Sequence, residues 1–416
     1  MGYRIERVSG KHTEADITLK PVMDQNDKTR IGLIGAGNIC RVGHGPAITA
    51  DGRAYIAAIS DPDPHNREFF AKKYNVSGVY EDHRTMLEHE KLDAVVISSP
   101  PWLHARHVQD CAEKGIPILC EKPMATTLED CRAIIEAARK NNVYILMGHC
   151  KRFEPGHQKI REMLMNNTLG RIFQVSIFWY FFIPDFTSGA LGRMVRILKK
   201  FGFDIERKFG FWRYRDLRAG GGDFFDHAPH YIDIIRFYGM EIEQVSCETK
   251  RCYPDTRPYE DLAVASFKLS NGAVFLYDKN VIRTGSPYGF ERGYIYGEKG
   301  KIAFRAAHAY QKRRVKVGIY RLSNIIHNHY YPAMLPYGRG NTMFYRQMKF
   351  FIDKVRNENT LNGGISGAWG ATPEDSYLTI AWTLAAYKSA RDGIKITREN
   401  LFSEIENFQT GKPHDW

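Results

Sequence analysis

Between Arg30 and Cys150 the chain repeats one pattern: a short unbroken run of apolar residues, then a stretch with helical spacing. The runs are Ile31–Ile34, Tyr55–Ile59, Ala94–Ile97, Ile116–Leu119 and Val143–Met147, and the clearest helical stretches are Leu103–Lys114 and Leu128–Lys140. A strand with one wet face alternates apolar and polar residues. An unbroken run instead predicts a strand buried on both faces, as in a parallel sheet covered by helices. Thr127, with Asp130 three residues on, predicts the start of the second helix.

After a predicted helix over 153–166 the pattern changes. Arg171–Phe182, Leu262–Leu269, Ala273–Val281, Gly293–Tyr296 and Lys301–Arg305 read as strands, and Asn271-Gly272 between two of them suits a tight hairpin turn. Helices return at Thr342–Val355 and Glu374–Arg391. The fold class is therefore α/β: an N-terminal parallel sheet plus a C-terminal α+β domain with a large, mainly antiparallel open sheet. A chain of 416 residues exceeds one ordinary core. The expected division is an arm over 1–29, a nucleotide-binding domain over 30–150, a substrate and oligomerisation domain over 151–400 and a tail over 401–416. A basic, aromatic segment over 183–219 follows neither pattern.

The first strand runs into Gly35-Ala36-Gly37-Asn38-Ile39-Cys40. Gly35 permits a tight turn and Gly37 lets the backbone approach a pyrophosphate, while Cys40 stands where a third glycine is usual. The helix that follows aims its first amides, around Asn38 and Ile39, at that anion. The second strand ends at Ser60-Asp61, and an acid there accepts hydrogen bonds from a ribose. No basic residue adjoins Asp61 in sequence, and a carboxylate repels a 2′-phosphate. Strand, glycines, helix and acid in this order predict a Rossmann domain that binds NAD rather than NADP.

The net charge of +12 is unevenly spread: residues 193–218 hold nine Lys/Arg against three acids, and 299–321 hold eight against none. No nucleic-acid-binding motif accompanies them, so solvated loops and sheet edges are expected, with no nucleic-acid partner. Seven cysteines include no CxxC pair, which predicts free thiols and no metal site. No apolar stretch is long enough to span a bilayer and the first residues lack a signal, so a cytoplasmic protein without a membrane partner is expected.

Two further segments carry candidate chemistry. Glu121-Lys122-Pro123 follows a predicted strand, at the end where open α/β sheets bind ligands; Lys122 can equally be a surface residue in a turn. In Gly220-Gly221-Gly222…Asp226-His227-Ala228-Pro229-His230…Asp233, a helix opened by Asp226 puts Asp226, His230 and Asp233 on one face, with Pro229 in the first turn. Asp226 can be an N-cap and His230 a core histidine. His227 and His230 lack a third metal ligand.

Together these segments resemble the Gfo/Idh/MocA oxidoreductases, the group of glucose–fructose oxidoreductase and inositol dehydrogenase. The resemblance spans residues 30–310 and adds Ser99-Pro100…His104 and His149…Arg152-Phe153-Glu154-Pro155. It implies an NAD-dependent enzyme acting on a hydroxyl of a sugar, cyclitol or glycoside, and a homo-oligomer. Lys122 would hold the reacting hydroxyl, His230 would take its proton, and Asp226 would orient His230 or bind a neighbouring hydroxyl. Ser99, Pro100, His104, Glu121 and Lys122 would line the cofactor crevice, and the Lys122–Pro123 bond would be cis. Arg152, Trp179, Trp212 and His227 are candidate substrate contacts, since aromatic faces and polar side chains suit a polyhydroxylated ligand. Two alternatives stay open: an NAD-dependent glycosidase or lyase that oxidises the ring transiently, and a non-catalytic regulatory protein that binds NAD and sugar.

Overall fold

A computed structural model describes residues 3–4, 20–21, 24–182, 189–201, 216–252, 259–282, 290–306, 314–321, 324–332, 342–358, 369–406 and 408. The expected N-terminal arm, most of the 183–219 segment with Trp212, and residues 409–416 of the expected tail lie largely outside them.

The first domain is a six-stranded, all-parallel sheet. In chain order its elements are β1 (Thr29–Ile34), α1 (Gly45–Asp51), β2 (Ala54–Ser60), α2 (Pro64–Tyr74), β3 (Gly78–Tyr80), α3 (His83–His89), β4 (Ala94–Ile97), α4 (His104–Glu113), β5 (Ile118–Glu121), α5 (Leu128–Lys140) and β6 (Ile145–Gly148). The strand order β3-β2-β1-β4-β5-β6 is that of the doubly wound dinucleotide fold, and the order reverses between β1 and β4. All residues of β4, β5 and β6 are buried, as unbroken apolar runs require. Thr127 caps α5, its hydroxyl accepting from the Asp130 amide at 3.1 Å.

The second domain begins with α6 (Pro155–Met165) and β7 (Ile172–Phe182), followed by α7 (Gly189–Lys200) and α8 (Asp223–Phe237). Then come β8 (Ile242–Lys250), β9 (Leu262–Leu269), β10 (Val274–Ile282), β11 (Phe290–Gly297), β12 (Gly300–Ala306), β13 (Arg314–Arg321) and β14 (Asn324–Pro332). The chain closes with α9 (Thr342–Val355), α10 (Pro373–Asp392), β15 (Ile396–Thr397) and α11 (Leu401–Ile405). These strands form one nine-stranded sheet, β14-β13-β12-β11-β7-β10-β9-β8-β15, antiparallel except between β7 and β10. The turn between β9 and β10 uses Gly272 at φ +83°, with the Asn271 side chain accepting from the Ala273 amide at 3.0 Å.

Helices α8 and α10 lie against the inner face of this sheet. Strand residues with inward parity, such as Ala263, Ala265, Phe267, Phe275, Tyr277 and Ile295, join them in one buried core. Helix α9 packs elsewhere: Phe344, Met348, Phe351 and Ile352 share a core with Ile31 and Leu33 of the parallel sheet and Ile48 of α1.

Candidate active site

The nucleotide end of the site rests on two glycines. Gly35 has φ +84°, and a Cβ there would meet the Ser99 backbone nitrogen at 2.6 Å, so no side chain fits. A Cβ on Gly37 would meet nothing within 4 Å, which leaves an open cradle in front of the helix start at Asn38 and Ile39. Amides in the first turn of a helix have no partner within it, so this cradle fits a pyrophosphate. Cys40 fills the third glycine position and is buried. Its thiol reaches the Gly35 carbonyl (3.2 Å) and Ser98 Oγ (2.9 Å), and burial pushes it up to about 12. From Cys40 to His44 the helix is wound more widely than an α-helix before α1 begins.

Asp61 ends β2 and is buried. Its Oδ2 accepts from the Ala36 amide (2.7 Å), and its Oδ1 accepts from the Asp63 amide (2.8 Å) and Asn66 Nδ2 (3.2 Å). Burial pushes its carboxyl up; the Ala36 amide, Asn66, Arg67 and Arg41 oppose the shift. Arg67 donates to the Asp61 carbonyl at 2.6 Å, and Arg41 to Asn66 Oδ1 at 2.6 Å. The fold thus brings two cations to an acid with no basic neighbour in sequence.

The residues expected along the crevice divide by role. Ser99 Oγ pairs with His107 Nδ1 at 2.9 Å, and Pro100 precedes the short turn into α4. The His104 ring is buried between the Ser99 carbonyl (2.8 Å) and the carbonyls of Pro123 (3.1 Å) and Met124 (3.2 Å). It ties two loops together. Glu121 is held by its neighbours as well. Its buried carboxylate is taken by His44 Nε2 (2.8 Å) and the Lys122 amide (3.0 Å), so it shapes the loop that carries Lys122. The Lys122–Pro123 bond is cis.

Lys122 projects from the C-terminal end of β5 to α8. Its Nζ donates to Asp226 Oδ1 (2.9 Å) and to the Asp226 carbonyl (2.7 Å). Helix α8 starts three residues earlier than the sequence suggests. Gly222 is the cap residue, Asp226 is in the first turn, and Pro229 lies inside the helix. The early start has a cause in Glu260, whose buried carboxylate accepts from the amides of Gly222 (3.2 Å) and Phe224 (2.9 Å) and from Tyr387 Oη (2.8 Å). Asp226 is therefore no N-cap; its carboxylate pairs with Lys122, whereas the resemblance implied that it orients His230 or binds a neighbouring hydroxyl.

His230, one turn on from Asp226, is buried with its ring 6.1 Å from that of Trp179 and nearly parallel to it. Its Nδ1 has no hydrogen-bond partner among the described residues. Burial, with Lys122 and Lys151 nearby, holds it well below the usual histidine range, so it is neutral. His227 packs its edge on Trp179 at 4.5 Å and its Nδ1 lies 2.8 Å from the Asp223 carbonyl; burial pushes it down to about 3.

Trp179 marks the floor. In the sheet it stands opposite Lys279 on β10 and Glu291 on β11, and both are fully buried. Lys279 lies 3.7 Å from Asp223, and Lys151 donates to Glu291 at 2.8 Å while sitting 5.1 Å from the Trp179 ring. Sequence reasoning missed Lys279 and Glu291, although the signal existed. In β10 the inward positions are Phe275, Tyr277, Lys279 and Val281, and in β11 they are Glu291, Gly293 and Ile295. A charge at inward parity in an otherwise apolar series is a site residue or an error.

Arg152 is buried, donating to both Asp233 oxygens (2.8 and 2.6 Å) and lying 3.2 Å from Asp375. Asp233, on the α8 face that carries Asp226 and His230, is thus a structural anchor.

Comparison with known proteins agrees with this geometry. Residues 29–149 match the oxidoreductase family with an NAD-binding Rossmann fold, and residues 157–303 match the GFO/IDH/MocA C-terminal domain. The chain is 26% identical over 278 residues to myo-inositol 2-dehydrogenase of Thermotoga maritima, covering 66% of this chain and 74% of that one. It is 26% identical over 208 residues to D-glucoside 3-dehydrogenase of Escherichia coli, covering 50% and 53%. An oxidoreductase from Agrobacterium radiobacter, solved with NAD+, L-tartaric acid and magnesium, superposes with a TM-score of 0.69 at 20% identity, covering 89% of this chain and 98% of that one. Matched to the family along both domains, over residues 29–149 and 157–303, this protein is a member of the Gfo/Idh/MocA oxidoreductase family with an NAD-binding Rossmann domain.

Proposed function

We propose that this protein is a dehydrogenase that acts on a secondary hydroxyl of a sugar, cyclitol or glycoside. One observation carries the reading: the Lys122–Asp226 clasp and the neutral, buried His230 meet at the carboxyl end of β5, where an open sheet binds its ligand. Relatives named for inositol and glucoside dehydrogenation support the substrate class.

Bound NAD supplies the hydride acceptor. Lys122 carries three N–H groups, so it can keep Asp226 and still donate to a substrate hydroxyl oxygen. That contact fixes the oxygen and stabilises the negative charge that grows as its proton leaves. His230 is unprotonated and stands one turn from Asp226, so its ring is free to take the proton of the substrate hydroxyl. Trp179, itself buried, packs against the rings of His227 and His230 and so holds both in place. We also propose a homo-oligomer. The outer face of the large sheet carries Phe178, Leu276, Tyr294 and Tyr296, and Val264 is 45% exposed there; such a face is usually covered by a partner.

The test is NAD+ with a panel of sugars, cyclitols and glycosides, followed by nicotinamide absorbance. Substrate-dependent NADH that Lys122→Ala abolishes is expected. Silence across all three classes, with NAD still bound, would refute the reading.

A further inference from the structure

Helix α7, Gly189–Lys200, falls in the segment that follows neither sequence pattern. Its sequence, GALGRMVRILKK, has four basic residues and no acid. Gly192 and Val195 are buried and Leu198 is half-buried, so one face is seated on the protein. The other face is exposed: Met194 at 48%, Ile197 at 55% and, in the turn just after the helix, Phe201 at 76%. Positions 194, 197 and 201 are spaced three and four apart and form one row on a helix surface. Arg193 and Lys200 border the row and are exposed. One exposed apolar residue is ordinary, but three large ones in a row with cations beside them mark a contact surface.

Charge decides what covers it. A second copy of this helix would bring basic residues against basic residues, with no acid on either helix to offset them. An anionic lipid surface satisfies both features: apolar side chains enter the boundary between headgroups and acyl chains, and cations meet lipid phosphates. We propose that α7 docks this protein peripherally on an anionic bilayer, with Met194, Ile197 and Phe201 inserted and Arg193 and Lys200 held by phosphates. No described helix is long and apolar enough to cross a membrane, so this is attachment at the surface. The expectation of no membrane partner rested on the lack of a spanning run, which says nothing about such a helix.

The test is co-sedimentation of the full-length protein with vesicles of phosphatidylcholine, with and without phosphatidylserine. The wild type is expected to pellet with the mixed vesicles only, and less as salt rises. Met194→Gln/Ile197→Gln/Phe201→Ser is expected to lose pelleting. Arg193→Gln/Lys200→Gln is expected to weaken partitioning about fivefold per cation removed. NAD binding by each variant reports that it is folded. The proposal is overturned if the wild type stays in the supernatant at low salt. It is equally overturned if the triple variant pellets like the wild type. A triple variant that elutes without lipid as a smaller species than the wild type assigns the row to a second copy instead, and also overturns it.

Discussion

At the scale of single residues, Lys122 is the side chain that touches both halves of the site, and its loss has the sharpest consequence. Lys122→Ala is expected to lower kcat/KM by about a thousandfold, within the range for a positioned proton-handling group, with NAD binding kept; steady-state kinetics beside NAD fluorescence titration checks both. Asp61 holds the glycine loop through the Ala36 amide and stands beside Arg41 and Arg67. Asp61→Ser should weaken NAD by roughly tenfold or more and narrow the preference over NADP, because the repelling charge leaves while both arginines stay. The ratio of kcat/KM for the two cofactors measures it. His230 is held well below the usual histidine range by burial and by Lys122. A base that works unprotonated loses activity only as pH falls through its own pKa, so the acid limb of kcat/KM for oxidation should lie below about pH 6.5. A limb at or above that value would contradict the assignment. Gly35, Gly37, Asp61, Lys122 and His230 were legible because each belongs to a spaced motif. Arg41, Arg67, Lys151 and Glu260 were not, since their partners lie on other elements and only the fold brings them together.

At the scale of elements, α8 is held by three carboxylates along its length. Asp223 lies by Lys279, Asp226 takes Lys122 and Asp233 takes Arg152. The Arg152–Asp233 pair is buried on both sides, and removing Asp233 takes two close acceptors from a buried guanidinium and leaves it only the more exposed Asp375. Asp233→Leu should therefore cost about 3–5 kcal/mol of stability, read by denaturant unfolding. Glu260, the cap of α8, is pushed up to about 7 by burial. The sign follows from linkage. With its folded pKa above its unfolded one, its contribution is fully present below the unfolded pKa, near 4.5, and is lost as pH rises through about 7. Glu260→Gln should remove that loss, so wild type and variant diverge between those limits in thermal unfolding followed against pH. Element positions were largely legible: β4, α5, β9 and α9 fall where the periodicity placed them. The start of α8 was not, because its cap comes from Glu260, distant in sequence. Strand β3 escaped notice because three residues show no period.

At the scale of the whole molecule, the parallel sheet supplies the cofactor crevice and the large sheet supplies the floor under it. The lysine sits on one and the histidine on a helix packed against the other. The two-domain plan could be read from the switch between unbroken apolar runs and alternation. That α9 returns to the parallel sheet could not, since its apolar face has no sequence mark saying which core it joins. The outer sheet face makes its own prediction: Tyr294→Arg/Tyr296→Arg should yield a smaller species in light scattering with the fold intact, whereas an unchanged mass would remove the proposed oligomer interface. Hydride transfer from a carbinol carbon is tested with a substrate found in the NAD+ panel, deuterated at the carbon that is oxidised. NADH carrying one deuterium per molecule of substrate consumed is expected, and none with Lys122→Ala. Substrate consumed without labelled NADH would contradict it and leave a chemistry in which the cofactor is not a net acceptor.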